Sequence, residues 1–322
     1  MLYPIKFHSI LKEKIWGGDK LKTLLNKASD KENIGESWEI STVDEDISVV
    51  ANGAYQGENL VQLIKNYKED LLGKKVYQEF GNQFPLLIKF IDAKEDLSVQ
   101  LHPNDELAKK RHNSFGKTEM WYVMQADENA RLIVGFNKDT SKEEYSEFLE
   151  NRRIHDLLNE EQVKKGDSYF ISEGTIHAIG GGTLIAEIQQ TSDITYRVYD
   201  WDRKDDQGNE RELHTELAID ALDYNYNNNY KQNYSTHENV PNEITSCDYF
   251  TTNYLTVDKY LKRTYTNIDS FKIYMCVDGE GSITANKNEE PIKKGETILI
   301  PAALDHIEIR GAAIELLEIY IK

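Results

Sequence analysis

Two stretches of this chain repeat one pattern. Gly166-Asp167-Ser168-Tyr169-Phe170-Ile171-Ser172-Glu173-Gly174-Thr175-Ile176-His177 and Gly295-Glu296-Thr297-Ile298-Leu299-Ile300-Pro301-Ala302-Ala303-Leu304-Asp305-His306 each carry a glycine, an acidic residue, a run of strand formers, a turn, and a histidine eleven positions after the glycine. This pattern describes a turn glycine, a strand entering a core, a tight bend, and a histidine returning inward on the next strand. Two copies imply two similar β-barrel units. Helical signals are few. Residues 59–72 place Leu60, Leu63, Ile64, Tyr67 and Leu71 at helical spacing before a Gly73 stop, and residues 141–161 open with Ser141 and Glu144 at capping-box spacing. Shorter helices are predicted over 105–110 and 215–222. Strands are predicted over 120–124, 131–135, 168–171, 183–189, 194–198 and most of 249–321. Polar, low-complexity residues 223–243 read as a linker.

The expected architecture is thus mainly β, with a metal-binding unit over 1–222 that carries helical insertions, a polar linker over 223–245, and a C-terminal unit over 246–322. At 322 residues the chain can bury two cores. A net charge of −18 argues against a nucleic-acid partner. It also requires that any anionic ligand meet a local grouping of Lys and Arg. Two cysteines, Cys247 and Cys276, fit a reducing cytoplasmic compartment rather than a disulfide framework. The N-terminus shows no signal-peptide pattern, and no apolar run is long enough to span a bilayer.

Chemistry concentrates in the run Leu97-Ser98-Val99-Gln100-Leu101-His102-Pro103. The preceding Leu86-Leu87-Ile88-Lys89-Phe90-Ile91 is apolar and β-prone, so Gln100 and His102, two apart, point to one face of buried strand. Their polar atoms need partners there, and a metal ion would supply one.

The first repeat copy resembles the second half of the cupin signature, with Ser172 in place of the proline and Gly174 keeping the turn. Gln100-Leu101-His102-Pro103, Lys117-Thr118-Glu119, Ile176-His177-Ala178 and Ser192-Asp193-Ile194-Thr195-Tyr196-Arg197 occur in the order found in type I mannose-6-phosphate isomerases (phosphomannose isomerases). The likeness is to the short form that lacks a large helical domain. Ile15-Trp16-Gly17-Gly18 and Glu36-Ser37-Trp38-Glu39 also fit. The family's Lys-Pro-Glu motif has Thr118 for its proline here. The likeness runs by motif from about residue 1 to 222, and more loosely to the end. It implies two cupin-type jelly-roll barrels with a few added helices.

The resemblance also implies one Zn2+ per chain, held by Gln100, His102, Glu119 and His177. An amide oxygen, two imidazoles and a single carboxylate suit an open catalytic site more than a closed structural one. The implied reaction interconverts mannose 6-phosphate and fructose 6-phosphate through a cis-enediol, which needs a base, a cation near the carbonyl oxygen and a phosphate anchor. The family points to Arg197, Lys117, Lys89 and Ser98 around the substrate. Lys117 shares a strand face with Glu119 and is a candidate base, with Glu187 and Asp193 as alternatives. Lys89 and Ser98 are candidate phosphate anchors, and Trp16 and Trp38 candidate walls for the sugar. His214 reads as a helix N-terminal residue. The strand before the second repeat lacks a ligand pair, so the C-terminal barrel is expected to be metal-free. Two further readings stand beside the isomerase: a non-catalytic sugar-phosphate-binding bicupin, and an Fe2+ cupin oxygenase.

Overall fold

The computed structural model of the chain describes residues 1–204 and 207–322, and these form a mainly β fold. A six-stranded antiparallel sheet has the order Ile10–Gly18, Ile34–Ile40, Leu86–Ala93, Thr183–Gln190, Glu119–Ala126, Ser168–Ile171. A five-stranded sheet has the order Tyr196–Tyr199, Val99–Leu101, His177–Ile179, Arg131–Phe136, Leu158–Gln162. The C-terminal sheet runs Asn242–Ser246, Thr251–Thr264, His306–Tyr320, Lys272–Asp278, Thr297–Ile300. The hairpin of Glu280–Ala285 and Asn288–Lys293 joins it along His306–Tyr320.

The six-stranded sheet is covered on both faces, which is why Leu86–Ala93 is buried along its whole length. Ile88, Phe90, Met120, Tyr122 and Ile188 face one way, into a core shared with Phe271, Ile273 and Leu317 of the C-terminal sheet. Each fully buried aromatic or aliphatic side chain there contributes about 2 kcal/mol. Ile91, Trp121, Val123 and Ile185 face the other way and pack with Leu132, Val134 and Ile179 of the five-stranded sheet. The period of two puts Lys89, Glu119 and Glu187 on this second face. Polar side chains therefore enter the space between the two N-terminal sheets.

Gly166 and Gly295 both adopt left-handed φ, 90° and 84°, so the two repeats share their opening turn. Their histidines differ. His177 is 1% exposed, whereas the His306 side chain is 58% exposed and meets the Thr264 hydroxyl. The expected second inward histidine is thus corrected. Ile307 and Ile309 occupy the inward phase of that strand, which sends His306 outward.

The helix expected over 59–72 is interrupted. Lys68 sits at φ 45°, separating Leu60–Tyr67 from Glu69–Leu72, and a further helix, Lys74–Phe80, follows Gly73. The helix expected over 141–161 stops at Glu150; after Arg152 at φ 56° the chain makes one 3-10 turn and pairs as the strand Leu158–Gln162. Helices Asp105–His112 and Thr215–Ala221 form near their expected positions. Within 223–243, Tyr230 is buried against the second core and Lys231 bridges Tyr169. Cys276 is buried, Cys247 is half-buried, and both are free thiols. Among the described residues, no helix is long and apolar enough to cross a membrane.

Candidate active site and metal centre

His102 follows the strand Val99–Leu101, Glu119 opens Glu119–Ala126, and His177 opens His177–Ile179. One donor atom from each lies within 4.8 Å of the others. Glu119 Oε2 is 3.6 Å from His102 Nε2, and Oε1 is 3.4 Å from His177 Nε2. His102 Nδ1 lies 2.8 Å from the Ile194 carbonyl and His177 Nδ1 lies 2.9 Å from the Thr175 carbonyl. Each Nδ1 therefore carries the proton and donates it to the carbonyl, which aims the Nε2 lone pairs at Glu119. Burial, reinforced by the Lys117 ammonium, holds the His102 pKa well below its usual value and brings His177 to about 4, so both imidazoles are neutral ligands near pH 7.

Both Glu119 oxygens and His177 Nε2 are buried without a hydrogen-bond partner. Each such atom costs about 1–3 kcal/mol unless something satisfies it. A cation is the group these acceptors lack, and two imidazole nitrogens with one carboxylate suit zinc. Lys117 already brings a positive charge there. Its Nζ is 3.0 Å from His102 Nε2 and 2.9 Å from Glu119 Oε2, the latter an ion contact without hydrogen-bond geometry. Lys117 lies ahead of the strand Glu119–Ala126 rather than sharing a strand face with Glu119, yet its ammonium still reaches that carboxylate. Gln100 is the register partner of both His177 and Arg197, and its Oε1 accepts from the Ser98 hydroxyl at 3.3 Å.

Gln100, Lys117 and His177 open onto a cleft of about 290 Å3 between the two N-terminal sheets. Trp16, Lys89, Ser98, Gln100, Lys117, His177, Glu187, Asp193 and Arg197 all line it. Asp193 lies exposed at its rim. Trp38 is buried with Val43 and Leu87 outside the cleft lining, and the Lys89 ammonium sits 5.2 Å over its ring. Lys89 Nζ is 3.2 Å from Glu187 Oε1, and the Trp121 indole donates to Glu187 Oε2 at 2.9 Å. Burial favours a neutral Lys89, but Glu187 and Glu36 outweigh it and raise the pKa. Burial likewise opposes the Glu36 charge, yet Lys89 and Lys14 hold that carboxyl below its usual range.

Arg197 reaches Ser98 Oγ at 3.3 Å and the Glu212 carbonyl at 2.8 Å. Burial, and then Arg211, lower its pKa. Arg211 is a cleft residue that the motifs do not mark. Asp200 grips it bidentately at 2.6 and 2.5 Å and also holds Arg203 at 3.0 Å. Its sequence signal was the recurrence of Arg197, Arg203 and Arg211 within fifteen residues, although the five acidic residues among them leave that stretch slightly negative. Lys14 and Glu36 were likewise not singled out. His214 caps Thr215–Ala221, and its Nδ1 accepts the Arg197 N–H at 3.1 Å. A separate cavity of about 310 Å3, lined by Phe80, Phe115 and Tyr249 among others, has no histidine in its wall.

Buried neutral imidazoles, an orphaned carboxylate and a cation-rich cleft define an enzyme site able to hold one metal ion. Residues 5–134 match the family described as phosphomannose isomerase type I, catalytic domain, and residues 242–321 match the mannose-6-phosphate isomerase cupin domain. Mannose-6-phosphate isomerase ManA of Bacillus subtilis is 35% identical over 96% of both chains. The mannose-6-phosphate isomerase of Streptococcus mutans is 35% identical over 97% of this chain and 96% of its own. The crystal structure of the Bacillus subtilis mannose 6-phosphate isomerase superposes with a TM-score of 0.89 at 32% identity, covering 99% of this chain and 100% of that one. A Salmonella typhimurium phosphomannose isomerase variant shares the fold at 16% identity and TM-score 0.82, covering 100% of both chains. The chain belongs to the mannose-6-phosphate isomerase family and is an isomerase.

Proposed function

We propose that this enzyme interconverts mannose 6-phosphate and fructose 6-phosphate through a cis-enediol, using one Zn2+ held by Gln100, His102, Glu119 and His177. The orphaned Glu119 oxygens facing His177 Nε2 at 3.4 Å carry the metal assignment. Bound there, zinc would polarise the sugar's carbonyl and hydroxyl oxygens. Glu187 fits the task of moving the proton between C1 and C2. It lies 3.2 Å from the Lys89 ammonium, is fixed by the Trp121 indole, and has Oε1 without a hydrogen-bond partner. Lys117, with Nζ 2.9 Å from Glu119 Oε2 and 3.0 Å from His102 Nε2, fits a proton-transfer or charge-stabilising role beside the metal. Asp193, at the rim, fits orientation of substrate hydroxyls.

Lys89 is 3% exposed and neutralised by Glu187, which argues against the phosphate role expected for it. Arg211 suits that dianion better, because a guanidinium fork matches phosphate geometry, with Ser98 as a further donor, while Arg197 suits the charge that develops on the enediolate. Trp16, 4% exposed, offers a flat apolar wall to the sugar. In this reading the chemistry belongs to residues 1–222, the stretch 223–245 links, and 246–322 is structural. The enzyme works in the cytoplasm, where two free thiols are stable. Gln100→Ala, Glu119→Ala and His177→Ala should each lose bound zinc and isomerase activity together. Full activity in a metal-free His177→Ala protein would overturn the proposal.

A further inference from the structure

Thr118 stands between Lys117 and Glu119, where the family's motif has proline. A proline at that position would fix φ and carry no N–H. Thr118 instead uses the atoms that proline lacks. Its N–H donates to Gln190 Oε1 at 2.8 Å, and its hydroxyl donates to Glu173 Oε2 at 2.5 Å. The Gln190 N–H returns a bond to the Thr118 carbonyl at 3.2 Å. Thr118 is 1% exposed and Gln190 4%, so water competes little for these bonds.

The far end of Gln190 is also anchored. Its Nε2 donates to Asp105 Oδ1 at 3.1 Å, and the same oxygen accepts the Gly116 N–H at 2.7 Å. Tyr249 donates to Asp105 Oδ2 at 2.7 Å. Gly116 runs so close to this helix start that a Cβ would lie 2.7 Å from the Asp105 nitrogen. Asp105 follows His102 by three residues, and Glu173 precedes His177 by four. Thr118 therefore ties together the segments that deliver His102, Glu119 and His177.

We infer that Gln190 is a positioning residue which, acting through Thr118, fixes Lys117 and Glu119 for metal binding and turnover in place of the motif's proline. The inference rests on the reading of Glu119 as a metal ligand. Gln190 lines neither the cleft nor the triad, so it acts only through the backbone it holds.

The test compares the parent protein with Gln190→Leu, Thr118→Val, Thr118→Ser and Glu119→Gln. Zinc affinity of the folded protein is measured by competition with a chromophoric chelator, alongside kcat and KM for mannose 6-phosphate. Gln190→Leu should weaken zinc about tenfold, the lower end for residues that support metal ligands. Its kcat should fall while KM changes less than twofold. Thr118→Val should weaken zinc in the same sense, and Thr118→Ser, which keeps both donors, should match the parent. If Gln190→Leu does not fold, Gln190→Ser, which is too short to accept the Thr118 N–H, decides in its place. Parent-like zinc affinity and kcat in the Gln190 variant that decides overturns the inference. Parent-like zinc affinity in Glu119→Gln instead overturns the ligand assignment beneath it.

Discussion

Lys89 and Glu187 are direct cross-strand partners, with Nζ and Oε1 3.2 Å apart and each residue 3% exposed. Removing one member of such a pair leaves a buried charge without its counterion. Glu187→Leu should therefore lower stability by about 3 kcal/mol. The double variant Lys89→Met/Glu187→Leu should regain most of that loss. Denaturant midpoints of the four proteins in the cycle check this, and additive losses would contradict the pairing.

Arg211 is held rigidly by Asp200 at the cleft wall. If Arg211 binds the phosphate as proposed, replacing it with Met removes a charge-assisted contact, about 1.5–3 kcal/mol, and so should raise KM for mannose 6-phosphate by about 10- to 100-fold. Zinc content should stay unchanged. Arg197→Met should also keep its metal but lose turnover. Steady-state kinetics with metal analysis on both variants separates the two roles.

Asp92 is fully buried, with Oδ2 accepting the Lys20 N–H at 2.6 Å and Oδ1 unpartnered. Burial pushes its pKa up to about 6, although the Lys20 N–H pulls it back in part. A carboxyl that binds its proton more tightly when folded stabilises most below about pH 4, and that contribution declines as pH rises to about 6. Asp92→Asn should remove this decline. The variant should match the parent at pH 4 and exceed it by about 2 kcal/mol at pH 7.5. Urea midpoints across pH 4–8 test it, and equal curves for the two proteins would refute it.

The metal-capable triad was legible because its residues lie in short motifs whose order survives in one chain. The strand faces were legible too, since a period of two sets Tyr196 against Arg197. The partner of Lys89 was not, because nearly a hundred residues separate it from Glu187 and only sheet register joins them. Arg211 escaped for a similar reason, since its place at the cleft depends on Asp200 folding back toward it. The helix over 141–161 was overextended because Leu157 and Leu158 continue an apolar pattern; tertiary pairing with Arg131–Phe136 then took the segment into a sheet. The repeat glycines announced two alike turns, but the burial of Ile307 and Ile309 decided where His306 points.

The central claim is that the His102, Glu119 and His177 cluster holds the ion that makes this chain an isomerase. A coupled assay on mannose 6-phosphate, run before chelation, after chelation and after zinc is returned, tests it most directly. The account predicts activity that disappears with the metal and returns with zinc. Undiminished turnover in protein shown to be metal-free, or no turnover in zinc-loaded protein, would contradict it.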